Sequence, residues 1–506
     1  MKVTTPEEMR KIDQAVIEGL GIPGCVLMEL AGKGCVDALL EEYGDVEGEK
    51  VVVVCGLGNN GGDGFVVARR LRSLGADVEI VLLGEEERIK GDARIYLEVA
   101  KKLNIPFTTP ESIDDASIVV DAIFGTGFRG KPEGIFEEVI KRINESDAFV
   151  LAVDIPSGVS GRTGEVEGEA VRADLTATMG LPKRGLLLFP GREYAGRIYV
   201  VDIAIPSQVL ENAEVSLYMT EAEDVKSMLP ERPAWGHKGT FGKVLCICGS
   251  RGFTGAASLT SMSALVAGCG LSYLVIPASL NPVLEEKLTE VITIPAPEED
   301  GVLSEEAYGL IKEWIEKCDV VAIGPGLSTR ETTGRLVERI VSEMEKPCVI
   351  DADGLNLLRG KSEILKGKKN IIITPHPGEF SRLTGKSIQE LQRDRVESAR
   401  EFAIESGINV LFKGAPTIIA SHDGRCYLNP TGNSGLGSGG TGDVLTGLIA
   451  GFMAQGVPPF ESGVVSAYIH GRAGDLAKEE LTEYSLTASD VLSCVPLVLK
   501  ELKGEG

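Results

Sequence analysis

Short runs of Val and Ile recur along this chain, and most of them end in loops built of glycine and single acids. Val51–Cys55 reads VVVVC. Val78–Leu83, Ser117–Val120, Phe149–Val153, Leu175–Met179 and Ile198–Val201 follow it. A second series runs through Val244–Cys248, Leu271–Ile276, Val320–Ile323, Cys348–Ile350, Ile371–Ile373 and Val410–Phe412. Stretches with helical spacing, such as Phe65–Leu74, lie between them. Near-continuous apolar strands separated by helices predict parallel sheets covered on both faces, so the expected fold class is α/β. The two series share no visible repeat, which predicts two unlike domains, residues 1–211 and 212–506, with a linker or short helix over Ser207–Val215.

A length of 506 residues accommodates such a pair, at about 150 residues per structural unit. Thr5, Pro6 and Glu8 predict a capped N-terminal helix over Pro6–Gly19. The net charge of −24 is spread over both halves, which excludes a basic phosphate-backbone binder, so no nucleic-acid partner is expected. No apolar run reaches the roughly 18 residues of a membrane helix, and the start is too polar for a signal peptide. A cytoplasmic protein without a membrane partner is expected. The ten cysteines show neither CxxC nor zinc spacing and are expected to be buried and reduced.

In the first domain, Gly56-Leu57-Gly58-Asn59-Asn60-Gly61-Gly62-Asp63-Gly64 follows a strand and opens a helix. Glycines there let the backbone approach a phosphate, and the helix start supplies N–H donors. The acid that reads a ribose in an ordinary dinucleotide fold is missing: Glu79 lies inside its strand and Glu85 belongs to a charged run. Two more loops stand at strand ends, Asp121-Ala122-Ile123-Phe124-Gly125-Thr126-Gly127-Phe128-Arg129-Gly130-Lys131 and Asp154-Ile155-Pro156-Ser157-Gly158. Ligands bind at that edge of an open α/β sheet. Asp121 and Asp154 end apolar strands, where an acid must be paired, bound to something, or used as a cap.

These motifs, in this order, resemble the NAD(P)H-hydrate epimerase family, the YjeF N-terminal domain. The resemblance implies a Rossmann-like three-layer sandwich that interconverts the C6 epimers of hydrated NADH and NADPH (NADHX and NADPHX). It implies that Asn59, Asn60, Gly61, Gly62 and Asp63, with Gly125, Thr126, Gly127, Phe128, Arg129, Gly130 and Lys131, hold phosphates and ribose. Asp154 is implied as nicotinamide contact and acid–base group, and Asn60, Asp121 and Ser157 as ligands of a potassium ion.

In the second domain, Asn433-Ser434-Gly435-Leu436-Gly437-Ser438-Gly439-Gly440-Thr441-Gly442-Asp443 runs into a helical stretch, Val444–Gly456. Small residues ahead of a helix expose N–H groups as an anion cradle. An Asp just inside the helix start lies beside that anion, a layout for deprotonating a hydroxyl next to a phosphoryl group. Other strand-end loops are Gly324-Pro325-Gly326-Leu327-Ser328, Asp351-Ala352-Asp353-Gly354-Leu355-Asn356, Thr374-Pro375-His376-Pro377-Gly378-Glu379 and Lys413-Gly414-Ala415-Pro416-Thr417.

This set resembles the ADP-dependent NAD(P)H-hydrate dehydratase family of the ribokinase-like superfamily. The resemblance implies that Lys413, Gly414, Ala415, Pro416 and Thr417, with Asn433, Ser434, Gly435, Leu436, Gly437, Ser438, Gly439, Gly440, Thr441 and Gly442, bind ADP. Gly326, His376, Pro377, Gly378, Glu379 and Asp443 are implied to contact the hydrate, with Asp443 as base and Glu379 supporting a nucleotide-bound magnesium ion. Two positions depart from the family pattern, Cys248 where glycine is expected and Phe253 where tyrosine is expected. A homo-oligomer that takes NADHX, NADPHX and ADP is the expected reading. The alternative is a vitamin or sugar kinase with an accessory Rossmann-like domain.

Overall fold

The structure is a computed structural model that describes residues 1–504. It divides into two compact units, Lys2–Ser216 and a second that starts at Leu217.

The first unit is built on a seven-stranded sheet. Its strands are β1 (Lys50–Cys55), β2 (Asp77–Leu82), β3 (Phe107–Thr108), β4 (Ile118–Ala122), β5 (Phe149–Val153), β6 (Leu175–Met179) and β7 (Arg197–Val201). They are all parallel, in the order β3-β2-β1-β4-β5-β6-β7. The order reverses at β1, leaving a crevice beyond the carboxyl ends of β1 and β4. Helices α1 (Pro6–Gln14), α2 (Gly24–Glu42), α3 (Asn59–Ser73) and α4 (Gly91–Lys102) pack on one apolar core, and α5 (Ile135–Glu145) packs on the other. Burial on both faces explains why β1 is an unbroken apolar run rather than an alternating one.

The Thr5 cap forms as expected: Thr5 Oγ1 accepts from Glu8 N, and Glu8 Oε2 accepts from Thr5 N. The helix ends at Gln14, and a π-helical turn covers Ala15–Gly19. A larger difference concerns α3. Asn59–Gly64 read as loop, yet α3 begins at Asn59. Two Asn, three Gly and an Asp have poor helix propensity, and tight packing of the helix start overrides it.

The second unit carries β8 (Leu217–Met219), β9 (Lys243–Ile247), β10 (Leu271–Pro277), β11 (Ile292–Ala296), β12 (Val320–Ile323), β13 (Cys348–Ile350), β14 (Ile371–Ile373), β15 (Asn409–Phe412), β16 (Thr417–Ala420) and β17 (Cys426–Asn429). They lie in the order β8-β17-β16-β15-β14-β13-β12-β9-β10-β11. The strands from β9 to β15 form the expected parallel core, but β15, β16 and β17 pair antiparallel. Helix α6 (Thr254–Val266) packs against α9 (Thr441–Ala454). Shorter helices α7 (Pro377–Thr384) and α8 (Arg395–Ser406) flank the parallel strands, and α10 (Pro459–Glu480) and α11 (Ala488–Lys503) close the unit. Helix α9 starts at Thr441, three residues before the predicted Val444, so Asp443 lies in its first turn.

Candidate active sites

In the first unit the loops after β1 and β4 touch at the crevice. A Cβ on Gly56 would lie 2.0 Å from Ile123 O, and one on Gly61 would lie 2.0 Å from Gly56 O. Backbone thus packs on backbone, which only glycine permits. Gly61→Ala is therefore expected to lower the unfolding temperature of this unit by about 5 °C or more in a calorimetric scan. An unchanged transition would mean that the turn yields.

Above the contact opens a cavity of about 870 Å3. Asn59, Asn60, Asp63, Gly125, Thr126, Gly127, Phe128 and Asp154 line it. The remaining expected residues are placed elsewhere. Gly61 and Gly62 pack inward, Gly62 against Met28 and Ala93, while Arg129 donates to Glu7 and Lys131 faces Glu133. Gly130, like these, does not line the cavity.

Asp121 is fully buried and its oxygens accept from Ser157 Oγ (2.6 Å), Ser157 N (2.7 Å) and Ile123 N (3.2 Å). Burial, against those hydrogen bonds, pushes its carboxyl up to about 6. Asn60 Nδ2 donates to Phe124 O, while its buried Oδ1 has no hydrogen-bond partner among the described residues. An orphaned carbonyl near a carboxylate without a counter-charge is a donor set suited to a hard cation.

Asp154, with φ of +67°, sits at the end of β5 beside Lys183, which follows β6. Lys183 Nζ donates to Asp154 Oδ1 at 2.6 Å, and its side chain is 1% exposed. Asp63 and Asp13 line the same cavity. Burial first, then the neighbouring Asp154, holds the Asp63 carboxyl well above the usual range. Burial raises Asp13 to about 6, opposed by Lys183.

In the second unit, Asp351 at the end of β13 is the hub. Its Oδ1 accepts from Lys413 Nζ (2.7 Å), its Oδ2 accepts from Thr446 Oγ1 (2.8 Å), and the residue is 1% exposed. Lys413 follows β15 and lies under the start of α9, 3.6 Å from where a Gly442 Cβ would stand. Asp443 follows one residue later. Burial, reinforced by Asp351 and Asp353 and opposed by Lys413, pushes its carboxyl up to about 7.

The glycine loop is anchored at both ends and open in the middle. Asn433 donates to Asp475 and accepts from Gly435 N. Leu436 packs against Gly432 and Gly474, and Thr441 Oγ1 donates to Leu436 O and Ser438 O. Ser434 opens the short 3-10 turn that Asn433 caps, and Gly440 (φ +95°) precedes the helix. Cβ positions on Gly437 and Gly439 meet nothing within 4 Å. The stretch from Lys413 to Thr417 is held from behind by Arg395, which is 6% exposed and donates to Lys413 O and Pro416 O. A Cβ on Gly414 would strike that guanidinium, Ala415 precedes Pro416 in a cis bond, and Thr417 Oγ1 donates to Gly414 O.

His376 caps α7, with Pro377 and Gly378 in the first turn. Its Nδ1 accepts from Gly378 N, so its proton resides on Nε2, 3.3 Å from Glu379 Oε1. Burial, then Lys413 and Arg382, lowers its pKa and keeps the ring neutral. Glu379 is the third residue of α7. Its Oε2 accepts from His376 N and lies 3.7 Å from Lys413 Nζ, so the carboxylate is already engaged by a cap and a cation. Gly326 (φ +64°) abuts Phe253, and the buried Cys248 carries a thiol pushed far up by burial.

Two family models match the chain: NAD(P)H-hydrate dehydratase over residues 244–497 and YjeF-related protein N-terminus over residues 24–185. The bifunctional NAD(P)H-hydrate repair enzyme Nnr of Moorella thermoacetica is 41% identical, covering 100% of this chain and 98% of its own. The chain belongs to the bifunctional NAD(P)H-hydrate repair enzyme family. An ADP/ATP-dependent NAD(P)H-hydrate dehydratase from Bacillus subtilis, co-crystallised with ATP and Mg2+, is 31% identical. It covers 57% of this chain and 100% of that one, with a TM-score of 0.48. A ribokinase-like superfamily protein from Enterococcus faecalis shares the fold at 24% identity and a TM-score of 0.50, covering 57% of this chain and 97% of that one.

Within these repair-enzyme domains, sequence reasoning missed Asp13, Lys183, Arg395, Thr446 and His470. Asp13 lies outside the span of the N-terminal family model. His470 is buried and its Nε2 lies 2.9 Å from Thr441 O; burial lowers its pKa to about 4, so it stays neutral and donates to the start of α9. A buried position on a long helix was its only sequence signal. Among the described residues no helix is long and apolar enough to cross a membrane.

Proposed function

We propose that the first unit epimerises the C6 hydrates of NADH and NADPH, and that the second dehydrates the S epimer while converting ADP to AMP and phosphate. The observation that carries this is Asp443. It stands in the first turn of α9, after an open glycine loop, with its carboxyl raised to about 7. A base of that strength suits a hydroxyl proton at neutral pH. Asp443 takes the C6 hydroxyl proton, and the oxygen attacks the terminal phosphoryl of ADP and expels AMP. The phosphate ester then leaves from C6 as C5 gives up a proton, restoring the dihydronicotinamide. Gly437–Gly439 offer unobstructed backbone to the phosphates, and Lys413 supplies positive charge beneath them.

Magnesium would enter with the nucleotide phosphates. The same reading gives Asn60, Asp121 and Ser157 to a potassium ion, which would supply the positive charge that the buried Asp121 lacks and hold the two crevice loops in place. Replacing potassium by a bulky organic cation is expected to slow epimerisation about tenfold and leave dehydration unaffected, and Asn60→Ala should abolish the ion dependence.

The test of the reading as a whole is the recovery of dihydronicotinamide absorbance from separate R and S hydrates with ADP and with ATP. Regeneration from S in one step and from R after epimerisation is expected. A phosphorylated product that accumulates without dihydronicotinamide would instead favour a small-molecule kinase.

A further inference from the structure

Lys183, one of the cations lining the first site, is committed entirely to one carboxylate oxygen and its surroundings. Lys183 Nζ donates to Asp154 Oδ1 (2.6 Å), Thr178 Oγ1 (3.1 Å) and Met179 O (2.8 Å), which uses all three of its donors. Asp154 Oδ1 also accepts from Thr178 Oγ1 and Met179 N, both at 3.2 Å. Oδ1 is therefore saturated, and Oδ2 is the atom left for a substrate. Asp63 is the opposite case. It lines the same cavity from α3, yet it has no hydrogen-bond or ion-pair partner among the described residues.

We propose that the first site divides its acid–base work between two carboxyls: Asp154, oriented as proton acceptor by the positioning residue Lys183, and Asp63, the catalytic residue that donates the proton. This rests on the reading of the first unit as a hydrate epimerase. Asp13 from α1, Asp154 and Lys183 from the loops after β5 and β6, and the buried Cys35 of α2 act on Asp63, and Arg10, Glu18, Arg88 and Asp92 also line the cavity. Burial and the two acids oppose ionisation of Asp63, and Lys183 favours it.

The C6 carbon of the hydrate is a hemiaminal, and its inversion needs one proton acceptor and one donor. Asp154 Oδ2 takes the C6 hydroxyl proton as the C6=O bond forms and the C6–N1 bond breaks. The electron pair goes to N1, which takes the Asp63 proton. Rotation about C5–C6 presents the other carbonyl face. Closure then returns one proton from N1 to Asp63 and one from Asp154 to the oxygen. No outside reactant is consumed, and both carboxyls end as they began.

Lys183→Met is expected to lower kcat for epimerisation about a hundredfold with KM changed less than about threefold, and to move the acid limb of the pH–rate profile upward. Asp63→Asn is expected to lower kcat by at least as much and to remove the basic limb. Lys183→Arg, which keeps the charge, should keep the acid limb near its original position even if the rate falls. The full chain reports folding through the thermal transition of its first unit and through KM. An acid limb unmoved in Lys183→Met, or an Asp63→Asn enzyme within about threefold of wild-type kcat, overturns the proposal. Failure of the wild-type chain to convert the R hydrate would instead overturn the epimerase reading beneath it.

Discussion

Asp443→Asn is expected to reduce dehydration of the S hydrate by about a thousandfold while leaving epimerisation of the R hydrate at its wild-type rate. The two expectations come from separate structural facts. Asp443 belongs to the second compact unit, whose own core and sheet position it, and Asp154 belongs to the first. The amide is nearly isosteric, so the packing of α9 and its glycine loop is retained while the proton acceptor is lost. The wild-type pH dependence gives a second handle. With the Asp443 carboxyl raised to about 7, by burial first and then by Asp351 and Asp353, its basic form is the minority below that pH and the majority above it. The dehydration kcat should therefore rise about tenfold per unit as pH increases toward 7 and level off above it. Equal loss of both activities in Asp443→Asn would show that the chain has one interdependent centre rather than two.

The parts of this architecture that were legible in the sequence are those where a local pattern and its tertiary use agree. Strands β1, β5, β12 and β14 are buried on both faces, so their apolar runs announce them. The strand-end loops were legible because ligands gather at that edge whatever the chemistry. The start of α3 was not, because Asn and Gly disfavour helix locally and only the contacts of Gly56, Gly61 and Gly62 require it there. The hairpin of β16 and β17 was hidden by the Pro416 that precedes it and by its short strands. Asp13 and Lys183 carried no spacing signal at all. Asp13 follows Arg10 and Lys11, and Lys183 precedes Arg184, so neither stands out among its charged neighbours, and burial beside Asp154 makes each exceptional. The same holds for Asp351: its motif was visible, but the ion pair with Lys413 that organises the second site joins two strand ends far apart in sequence.

Asp154→Asn is expected to lose epimerisation by about a thousandfold and also to destabilise the first unit, by about 3 kcal/mol. The second effect follows from Lys183. Its side chain is 1% exposed, and among the described residues its only ion-pair partner is Asp154. An asparagine oxygen can still accept a hydrogen bond, but it leaves a buried cation uncompensated, and removing one member of a buried pair costs more than the pair contributes. The double variant Asp154→Asn/Lys183→Met removes that cation and should recover most of the lost stability without recovering any activity. The two readouts separate the roles that a single substitution confounds. If stability returns while the rate stays low, the carboxylate is chemical and the ion pair is its mount. If activity returns together with stability, Asp154 serves only to hold the loop, and another group in the cavity must take the hydroxyl proton. Stability measured across pH sharpens the distinction. In the double variant Asp63 loses Asp154, which opposes its ionisation more than Lys183 favours it, so its carboxyl should fall back toward its ordinary range, while Asp13, on which Lys183 weighs more than Asp154, should rise further. Carbon-detected titration of the aspartates reads these opposite shifts directly.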